Sequence, residues 1–379
     1  MKIIYCIDSI NNVGGIQRVT VAKANALAEM PGNEVWILSA DHSGERVLDV
    51  SPKVRVVDLG VDYYKDDWKS RWNVLKGIVI KRSLHRRRLE EVLHEVNPDI
   101  LVSVGQSEKN FLPRIQGKWA TVREIHYVKD YRWKAAQSIF DKILAFGGDL
   151  LDYSFYIKKY DRIVVLTHED KELNWKDNPK VAVIPNPVEV RSGHISALNE
   201  KRIIAVGRLV QQKNFASLVN AFSLVAMRHP DWRLDIFGDG PEKSRLQTLI
   251  SSLGLDDKIR LRGNTNRVIE EMVGSSMLAM TSKFEGFGVV LIEAMSVGLP
   301  VVSYACPCGP KDIISDSKNG FLVPTDDEKT MADKICILIE DVGLRKQMGA
   351  EALRRSEDFS VANIMKKWTD LFENMLSRC

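Results

Sequence analysis

The sequence predicts an α/β protein with two doubly wound domains, each built on a parallel sheet that is covered by helices on both faces. Short apolar runs alternate with helical stretches along most of the chain. Strands that are apolar on both sides belong to sheets buried between helix layers. The alternation is interrupted at residues 185–193 by a polar stretch with two prolines and a glycine, which is typical of an interdomain linker. A chain of 379 residues suits two domains of ordinary size.

The first domain begins with an apolar strand at residues 3–7, then a Gly-Gly loop and a helix over about 16–30. Its further strands are predicted at 35–38, 54–57, 100–104, 121–125, 163–166 and 181–184. After the linker the pattern restarts, with strands at 203–206, 234–237, 259–261, 277–280 and 301–303. Helical stretches separate most of these strands, as a parallel sheet requires.

The last predicted helix, at about 361–375, follows another helix rather than a strand, so the second sheet offers it no obvious place. We expect it to pack back on the first domain. The predicted domains are therefore 1–188 together with 361–379, and 189–360. Open parallel sheets bind ligands at the carboxyl ends of their strands. We therefore expect the two domains to face a central cleft that holds the site.

The most informative segment is EGFGVVLIEAMSVGLPVV, residues 285–302. Two carboxylates, Glu285 and Glu293, flank a turn and helix start at Phe287, Gly288 and Val289. The free backbone N–H groups of a helix start bind phosphate, and carboxylates accept hydrogen bonds from hydroxyls. A nucleotide sugar carries both kinds of group.

Other candidate residues follow predicted strands. Arg208 and Lys213 come just after the first strand of the second domain, where a guanidinium fork and an ammonium suit a diphosphate. Gly14 and Gly15 follow the first strand of the chain, where bare backbone and a helix start can approach a phosphate. His126 follows the strand at 121–125, and an imidazole there can bond a hydroxyl without permanent charge.

Five segments in this order resemble the retaining glycosyltransferases of family 4, also called group 1, which have the GT-B fold of two Rossmann-like domains. They are Gly14-Gly15, IPNPV at 184–188, VGRLVQQKN at 206–214, EGFGVVLIE at 285–293 and GPKDIISDSKNGFLV at 309–323. The family often has an acidic residue after the glycine pair, whereas this chain has Gln17.

The resemblance implies a role for each candidate residue. Gly14, Gly15, Arg208, Lys213 and the backbone of Phe287, Gly288 and Val289 would bind the donor phosphates. Glu293 would accept hydrogen bonds from the ribose, and Glu285 with His126 would act at the hexose end. Enzymes of this kind need no metal and no cofactor, because the nucleotide sugar is a substrate. The usual proposal is that the acceptor attacks the face that the leaving phosphate departs from, with that phosphate as the base.

Composition excludes several other classes. The net charge of +4 gives no reason to expect nucleic-acid binding. The five cysteines lack metal-site spacing and indicate reduced thiols of the cytoplasm. The start MKIIYCID enters a strand pattern directly, and no uncharged apolar run has the roughly 18 residues that a membrane span needs. We expect a cytoplasmic protein that is at most peripheral on the inner face of the plasma membrane.

A basic segment at residues 65–88 concerns the acceptor. It has nine Lys or Arg and two acids, interleaved with tryptophans and aliphatic residues, and ends in Arg86, Arg87 and Arg88. Such a stripe suits an anionic membrane surface or a lipid diphosphate. A helix face that is simply exposed to solvent has the same composition. A second tract of aromatic and basic residues covers 127–160.

The sequence therefore predicts a retaining hexosyltransferase that moves a hexose or N-acetylhexosamine from a nucleotide sugar to a saccharide in bacterial surface polysaccharide biosynthesis. The segment CPCGPKDII favours a UDP-sugar, and the basic stripe favours a lipid-linked acceptor. Two alternatives stay open, a UDP-sugar epimerase of the same fold and a non-catalytic sugar-nucleotide-binding partner of another transferase. A glycosyl phosphorylase would need a longer chain, and a nicotinamide reductase would need a G-x-G-x-x-G segment after a strand.

Overall fold

The computed structural model describes residues 1–11, 14–41, 48–63, 71–129, 132–133, 138–176, 178–189 and 193–377, with side chains at all of these except 71–79, 140 and 144. The chain forms two compact units. The first contains Met1–Leu166, Lys171–Pro187 and Ile364–Cys379. The second contains Thr167–Asp170 and Val188–Asn363.

The first unit is built on a parallel sheet, with seven strands in the described residues, in the order β3-β2-β1-β4-β5-β6-β7. The strands are β1 (Lys2–Ser9), β2 (Glu34–Asp41), β3 (Val54–Asp58), β4 (Ile100–Ser103), β5 (Ala120–Glu124), β6 (Arg162–Val165) and β7 (Val181–Val183). The inner strand β1 is buried almost throughout, because helices cover both faces of a parallel sheet. Its helices in the described residues are α1 (Gly15–Glu29), α2 (Arg71–Val96), α3 (Ile139–Leu151) and the part of α4 (His168–Asn174) that starts at Lys171.

The second unit has a six-stranded parallel sheet in its described part, in the order β10-β9-β8-β11-β12-β13. Its strands are β8 (Arg202–Val206), β9 (Arg233–Phe237), β10 (Ile259–Gly263), β11 (Met277–Met280), β12 (Val301–Tyr304) and β13 (Gly320–Val323). Its helices are α5 (Phe215–Arg228), α6 (Lys243–Ser252), α7 (Val268–Val273), α8 (Val289–Ser296), α9 (Pro310–Ile313), α10 (Glu328–Glu340) and α11 (Val342–Ser356). A large apolar core, with Phe222 and Trp232 among its members, lies under α5.

The predicted fold class is confirmed, since both sheets are parallel and doubly wound. Each strand predicted from an apolar run is present, with its ends shifted by a few residues at most. The edge strand β13 was missed, because it is four residues long, starts with glycine and follows a polar turn. Its place depends on pairing with β12, where Val301 lies opposite Gly320. A Cβ on Gly320 would lie 2.4 Å from the Val301 carbonyl oxygen, so only glycine allows this pairing distance.

The last helix, α12 (Val361–Leu376), contributes its residues from Ile364 onward to the first unit. Its side chains Trp368 and Phe372 are buried there, with ring centroids 5.5 Å apart. Burial of two large aromatic side chains stabilises the attachment of a terminal helix by several kcal/mol. The assignment of the acceptor to one unit and the donor to the other stays a prediction.

We expect Phe372→Ala to lower the free energy of unfolding of the first unit by about 3–5 kcal/mol, because it leaves a cavity in a packed core. The matched control is Phe155→Ala, whose side chain is 60% exposed and whose loss should cost about 0.5 kcal/mol or less. Urea unfolding followed by tryptophan fluorescence measures both. Equal losses in the two variants would contradict the packing of α12 described here.

Candidate active site

The carboxyl ends of β8 and β9 carry the basic motif of the second unit. The backbone of the two loops is tied together, since the Gly207 N–H donates to the Phe237 carbonyl and the Leu209 N–H to the Asp239 carbonyl, both at 2.9 Å. Gly238 has a φ of +135°, and a Cβ there would lie 1.9 Å from the Gly207 carbonyl oxygen. Only glycine at position 238 therefore allows the two loops to pair. The paired loops hold the backbone of Arg208 in place.

Arg208 lies exposed at this edge. Among the described residues, none forms an ion pair or a hydrogen bond with its guanidinium. An exposed arginine held by an ordered loop keeps its donors available for an anion.

Lys213 and Glu285, both predicted site residues, are in contact. The Lys213 ammonium lies 2.6 Å from a Glu285 carboxylate oxygen, and their side chains are 19% and 8% exposed. The lysine stem also packs over Gly207, whose added Cβ would approach it to 3.3 Å. The two motifs of the sequence therefore meet at one point, with a partly buried ion pair.

The two motifs also hold each other through residues that sequence reasoning missed. Gln212 donates from its side-chain amide to the Phe284 carbonyl at 2.9 Å and accepts from the Lys283 N–H at its own carbonyl at 2.8 Å. Thr281 donates to the Asn214 carbonyl at 3.1 Å. These bonds join sequence positions about seventy residues apart, and no local pattern in the sequence marks such partners.

The segment between Glu285 and Glu293 contains the start of α8. Gly288 precedes the helix with a φ of +90°, a conformation that other residues adopt only under strain, and no described side chain caps this end. Phe287 is buried, and Gly309 passes so close that a Cβ on it would lie 2.0 Å from the Phe287 carbonyl oxygen. Val289 begins the helix, as predicted. Glu293 is half-buried.

In the first unit, Gly14 precedes α1 and Gly15 is its first residue. Gly15 has an ordinary helical backbone, and a Cβ added to it would meet no heavy atom within 4 Å. At Gly14 the added Cβ would meet the flexible side chain of Gln17. Neither backbone geometry nor packing within the described structure requires glycine at position 15.

His126 follows β5, and its imidazole is 3% exposed. Its Nε2 lies 3.1 Å from a carboxylate oxygen of Glu124, the last residue of β5. Glu124 is in turn bonded by the ammonium of Lys23 from α1. Sequence reasoning found His126 and missed both of its supporting residues, since neither belongs to a recognisable motif.

The three arginines predicted to meet an acceptor or a membrane lie on α2. Arg86 and Arg87 are exposed, and each faces a glutamate one turn on, at 2.8 Å for Glu90 and 3.8 Å for Glu91. Arg88 donates to the Leu59 and Gly60 carbonyls at 2.5 and 2.8 Å, so it holds the chain after β3. Residues 65–70 of the basic stripe lie outside the described residues.

The family model named glycosyl transferases group 1 matches residues 189–355, all within the second unit. Residues 189–355 of the chain belong to this glycosyltransferase family. The family match covers the basic motif, the paired glutamates and the segment with Gly309 together. The protein is accordingly a glycosyltransferase of a retaining family, as the sequence motifs predicted.

Several curated proteins resemble this glycosyltransferase over nearly all of its length. The exopolysaccharide phosphotransferase SCO2592 of Streptomyces coelicolor is 28% identical over the whole chain, which spans only 41% of that protein. The amylovoran biosynthesis glycosyltransferase AmsD of Erwinia amylovora is 27% identical over 98% of this chain and 99% of its own. A Campylobacter jejuni enzyme is 26% identical over 98% of each chain. That enzyme is named GalNAc-alpha-(1->4)-GalNAc-alpha-(1->3)-diNAcBac-PP-undecaprenol alpha-1,4-N-acetyl-D-galactosaminyltransferase.

Solved structures agree with the fold. The crystal structure of TarM superimposes with a TM-score of 0.78 over 98% of each chain, at 18% identity. Anabaena Alr3699/HepE in complex with UDP gives a TM-score of 0.73 over 99% of this chain and 100% of its own, at 17% identity. At such identity these similarities show the GT-B fold alone.

A buried polar cluster at the carboxyl ends of β1, β4 and β5 was not anticipated from the sequence of this glycosyltransferase. Asp8 accepts hydrogen bonds from the Gln106 and Ser107 N–H groups at 2.9–3.0 Å. The buried Glu108 accepts from Ser103 at 2.8 Å and lies 3.9 Å from Arg123. These carboxylates organise the loop after β4, which ends at the same edge as His126.

One group of possible metal ligands is present in the described part of the second unit, at His229, Cys336 and Glu340. Glu340 already accepts from His229 at 2.9 Å and from Arg228 at 3.2 Å. Burial raises the pKa of the Cys336 thiol, which disfavours the thiolate that a metal needs. The group also follows the end of α5, at the opposite edge of the sheet from Arg208. It fits an ion-pair network better than a metal centre.

The Glu108 carboxyl predicts a pH dependence of stability. Burial raises the pKa of this carboxyl from 4.5 to about 7. The charge of Asp8 adds a smaller increase, and the charge of Arg123 opposes both. Between these values the folded protein holds a proton that the unfolded chain has released, so stability falls as pH rises, by up to about 3 kcal/mol. Glu108→Gln removes this loss. We compare the free energy of unfolding of the variant with that of the wild type. We expect this difference to be about 1–3 kcal/mol more favourable to the variant at pH 8 than at pH 5.

Urea unfolding at the two pH values measures this gain. Glu34→Gln, at the exposed start of β2, is the matched control. A difference between the Glu108 variant and the wild type that is the same at pH 5 and pH 8 would contradict the assignment.

Proposed function

We propose that this glycosyltransferase moves a hexose or N-acetylhexosamine from a nucleotide sugar, preferably a UDP-sugar, to a saccharide acceptor that is linked to a lipid. The observation that carries the donor part is the contact between Lys213 and Glu285 beside the exposed Arg208. In a nucleotide sugar the anomeric carbon is bonded directly to a phosphate oxygen. A cation for the phosphate and a carboxylate for the sugar hydroxyls must therefore lie side by side, as these two residues do.

The proposed diphosphate site consists of Arg208, Lys213 and the start of α8. Arg208 supplies a two-pronged donor and Lys213 a compact charge. The N–H groups at Phe287, Gly288 and Val289 lie at an uncapped helix start, where a phosphate oxygen is favoured. These fixed positive groups would stabilise the charge that develops on the leaving diphosphate, which is the task that a metal performs in other transferases. We therefore propose metal-independent transfer.

The two glutamates are assigned different ends of the donor. Glu285 lies against Lys213, and we assign it to the junction of phosphate and hexose. Glu293 is on α8 beyond its first turn and is half-buried, so it suits a ribose that lies farther along the nucleotide. For transfer with retention we propose that the acceptor attacks the face that the diphosphate leaves, with the diphosphate taking the acceptor proton. No described residue is assigned as a nucleophile.

The first unit contributes Gly14, Gly15 and His126 to the proposal. Since nothing within the described structure requires glycine at 15, the bare backbone there is best explained by the approach of a ligand phosphate to the start of α1. His126 is proposed to bond a hydroxyl of the transferred sugar.

The choice of donor and acceptor is supported by the relatives. The HepE neighbour was solved with UDP, and the Campylobacter jejuni relative is named for an acceptor linked through a diphosphate to undecaprenol. The amylovoran relative is named for polysaccharide biosynthesis. These names support a UDP-sugar donor and a lipid-linked saccharide acceptor for this chain.

We expect Arg208→Ala to lower kcat/KM for transfer from a UDP-sugar by about 100-fold, because a charge-assisted hydrogen bond to a phosphate contributes about 1.5–3 kcal/mol. Its stability should be unchanged, since the side chain has no partner to lose among the described residues. Arg260→Ala, an exposed arginine on β10, is the matched control and should retain full activity. Release of UDP in a coupled assay, with and without acceptor, measures all three proteins.

Normal transfer by Arg208→Ala would remove this residue from the donor site. Interconversion of the UDP-sugar with its epimer, without transfer, would instead identify the epimerase alternative. Binding of UDP without turnover of any UDP-sugar would identify a non-catalytic partner.

For the membrane we propose a contact through α3, because one face of this helix is apolar and exposed. Ile139, Ile143, Phe146 and Leu150 are between 52% and 80% exposed. Their spacing of four, three and four residues places them on one side of a helix. Soluble proteins seldom expose so many large apolar side chains together. Lys142 lies 5.4 Å from the ring of the exposed Trp133, a pair that suits the headgroup layer. No helix in the described ranges is long and apolar enough to span a bilayer.

The apolar face of α3 and the arginines of α2 make different predictions. We expect the double variant Ile143→Glu, Phe146→Glu to bind anionic vesicles at least about 100-fold more weakly, because each side chain loses about 1.5–3 kcal/mol of burial. Arg86→Ala with Arg87→Ala should have a small effect, because both arginines already face glutamates. Met227→Glu, an exposed apolar position in the second unit, is the control.

Sedimentation with vesicles of phosphatidylglycerol and phosphatidylethanolamine compares these proteins. If the α3 variant binds vesicles as the wild type does and the arginine variant loses binding, the membrane contact is made by the basic stripe instead. A change of oligomeric state in the α3 variant, without a change in vesicle binding, would show that a second copy of the chain covers this face.

A further inference from the structure

Lys23 is a lysine in a place where lysines are rarely found. It lies in the middle of α1, and its side chain is fully buried. Lysine is almost never fully buried unless its charge is paired. The sequence around it, VTVAKANALAE, alternates as an ordinary amphipathic helix and gives no sign of this placement.

The partner of Lys23 is the carboxylate at the end of β5. The ammonium is hydrogen-bonded to both oxygens of Glu124, which is 1% exposed. One of these oxygens lies 3.1 Å from Nε2 of His126. A continuous line of polar contacts therefore runs from α1 through Glu124 to the imidazole, inside the first unit.

Aromatic side chains surround the pair. The Lys23 ammonium lies 4.7 Å from the ring centroid of Trp368 on α12 and 5.4 Å from that of Tyr5 on β1. Both rings are buried, so they keep water away and add a cation–π attraction. Burial by itself would raise the pKa of Glu124, but Lys23 and His126 reverse this effect and lower it to about 2. The carboxylate is therefore ionised throughout the ordinary pH range.

We propose that Lys23 is a positioning residue for the transfer reaction, which acts through Glu124 to fix the tautomer and the orientation of His126. This proposal rests on the proposed function, in which His126 bonds the transferred sugar. A neutral imidazole has one donor and one acceptor nitrogen, and the partner of one nitrogen decides which is which. His126 Nε2 makes no hydrogen bond of good geometry with the described residues. The ionised carboxylate oxygen of Glu124 lies 3.1 Å from it and can only accept, so it favours the tautomer that carries the proton on Nε2.

Nδ1 is then the acceptor nitrogen. No described residue forms a hydrogen bond with it. An acceptor at this position, after the carboxyl end of β5, is suited to a sugar hydroxyl. Without Lys23, Glu124 would be a buried carboxylate with its main compensating charge removed, and protonation would turn it into a possible donor. Nε2 would then become the acceptor, and Nδ1 would present a proton to the hydroxyl.

The direct test is the tautomer of His126 in the whole protein. Proton–nitrogen correlation spectra of histidine-labelled protein distinguish an Nε2-protonated from an Nδ1-protonated ring. The chain has seven histidines, and the His126→Phe spectrum assigns the signal by its loss. We expect the Nε2-protonated form in the wild type, and a changed pattern in Lys23→Met. Lys53→Met is the matched control, since it removes an exposed lysine that pairs with Glu29 in the same unit.

Activity gives a second reading. Lys23→Met should lower kcat by about 10- to 100-fold, the usual effect of losing a partner that orients a site residue, while UDP binding by the second unit stays unchanged. If Lys23→Met does not fold, the double variant Lys23→Met, Glu124→Gln replaces it, because it leaves no isolated buried charge. An unchanged His126 tautomer in the folded variant overturns the proposal.

The two proposals fail in different ways. A wild type that transfers no sugar would overturn the proposed function, whatever the spectra show. A wild type that transfers sugar, with a His126 signal that is indifferent to Lys23, would overturn only the positioning role.

Discussion

Parallel strand pairing is the constraint on which the rest of the structure depends. Because all strands of a sheet run the same way, their carboxyl ends meet at one edge, and residues distant in the chain are brought together there. In the second unit this edge joins the loop after β8 to the loop after β11, and so brings Lys213 to Glu285. In the first unit it gathers Asp8, Glu108 and His126 from the ends of β1, β4 and β5.

Each unit has a lysine–glutamate pair near this edge, and the two pairs differ in burial. The Lys213 side chain is 19% exposed and the Glu285 side chain is 8% exposed, so the lysine charge is within reach of a ligand. Lys23 and Glu124 are sealed from water by aromatic rings. Removal of one partner from a sealed pair costs about 3–5 kcal/mol, because the other charge is left uncompensated. The accessible pair therefore suits binding, and the sealed pair suits the fixing of a neighbour.

Several glycines have a structural role that the motifs alone do not reveal. Gly238 and Gly309 are required because a Cβ would collide with backbone atoms at 1.9 and 2.0 Å. Gly288 is required because its φ is +90°. Gly15 is different, since neither its conformation nor its surroundings within the described residues exclude a side chain. The first three shape loops of the second unit, whereas nothing in the described structure requires the fourth to be glycine.

The sequence by itself determined the fold class, the strands down to a few residues, the family and the motif residues Arg208, Lys213 and Glu285. These follow from apolar periodicity and from short segments whose residues are neighbours in the chain. Only the tertiary structure decided that β13 completes the second sheet, that α3 carries an exposed apolar face and that Arg88 holds a loop. It alone placed Lys23 beneath His126, 103 residues away. From the sequence alone, a polar residue in an amphipathic helix is predicted to lie on the surface. Whether another element covers it depends on strand order rather than on local sequence.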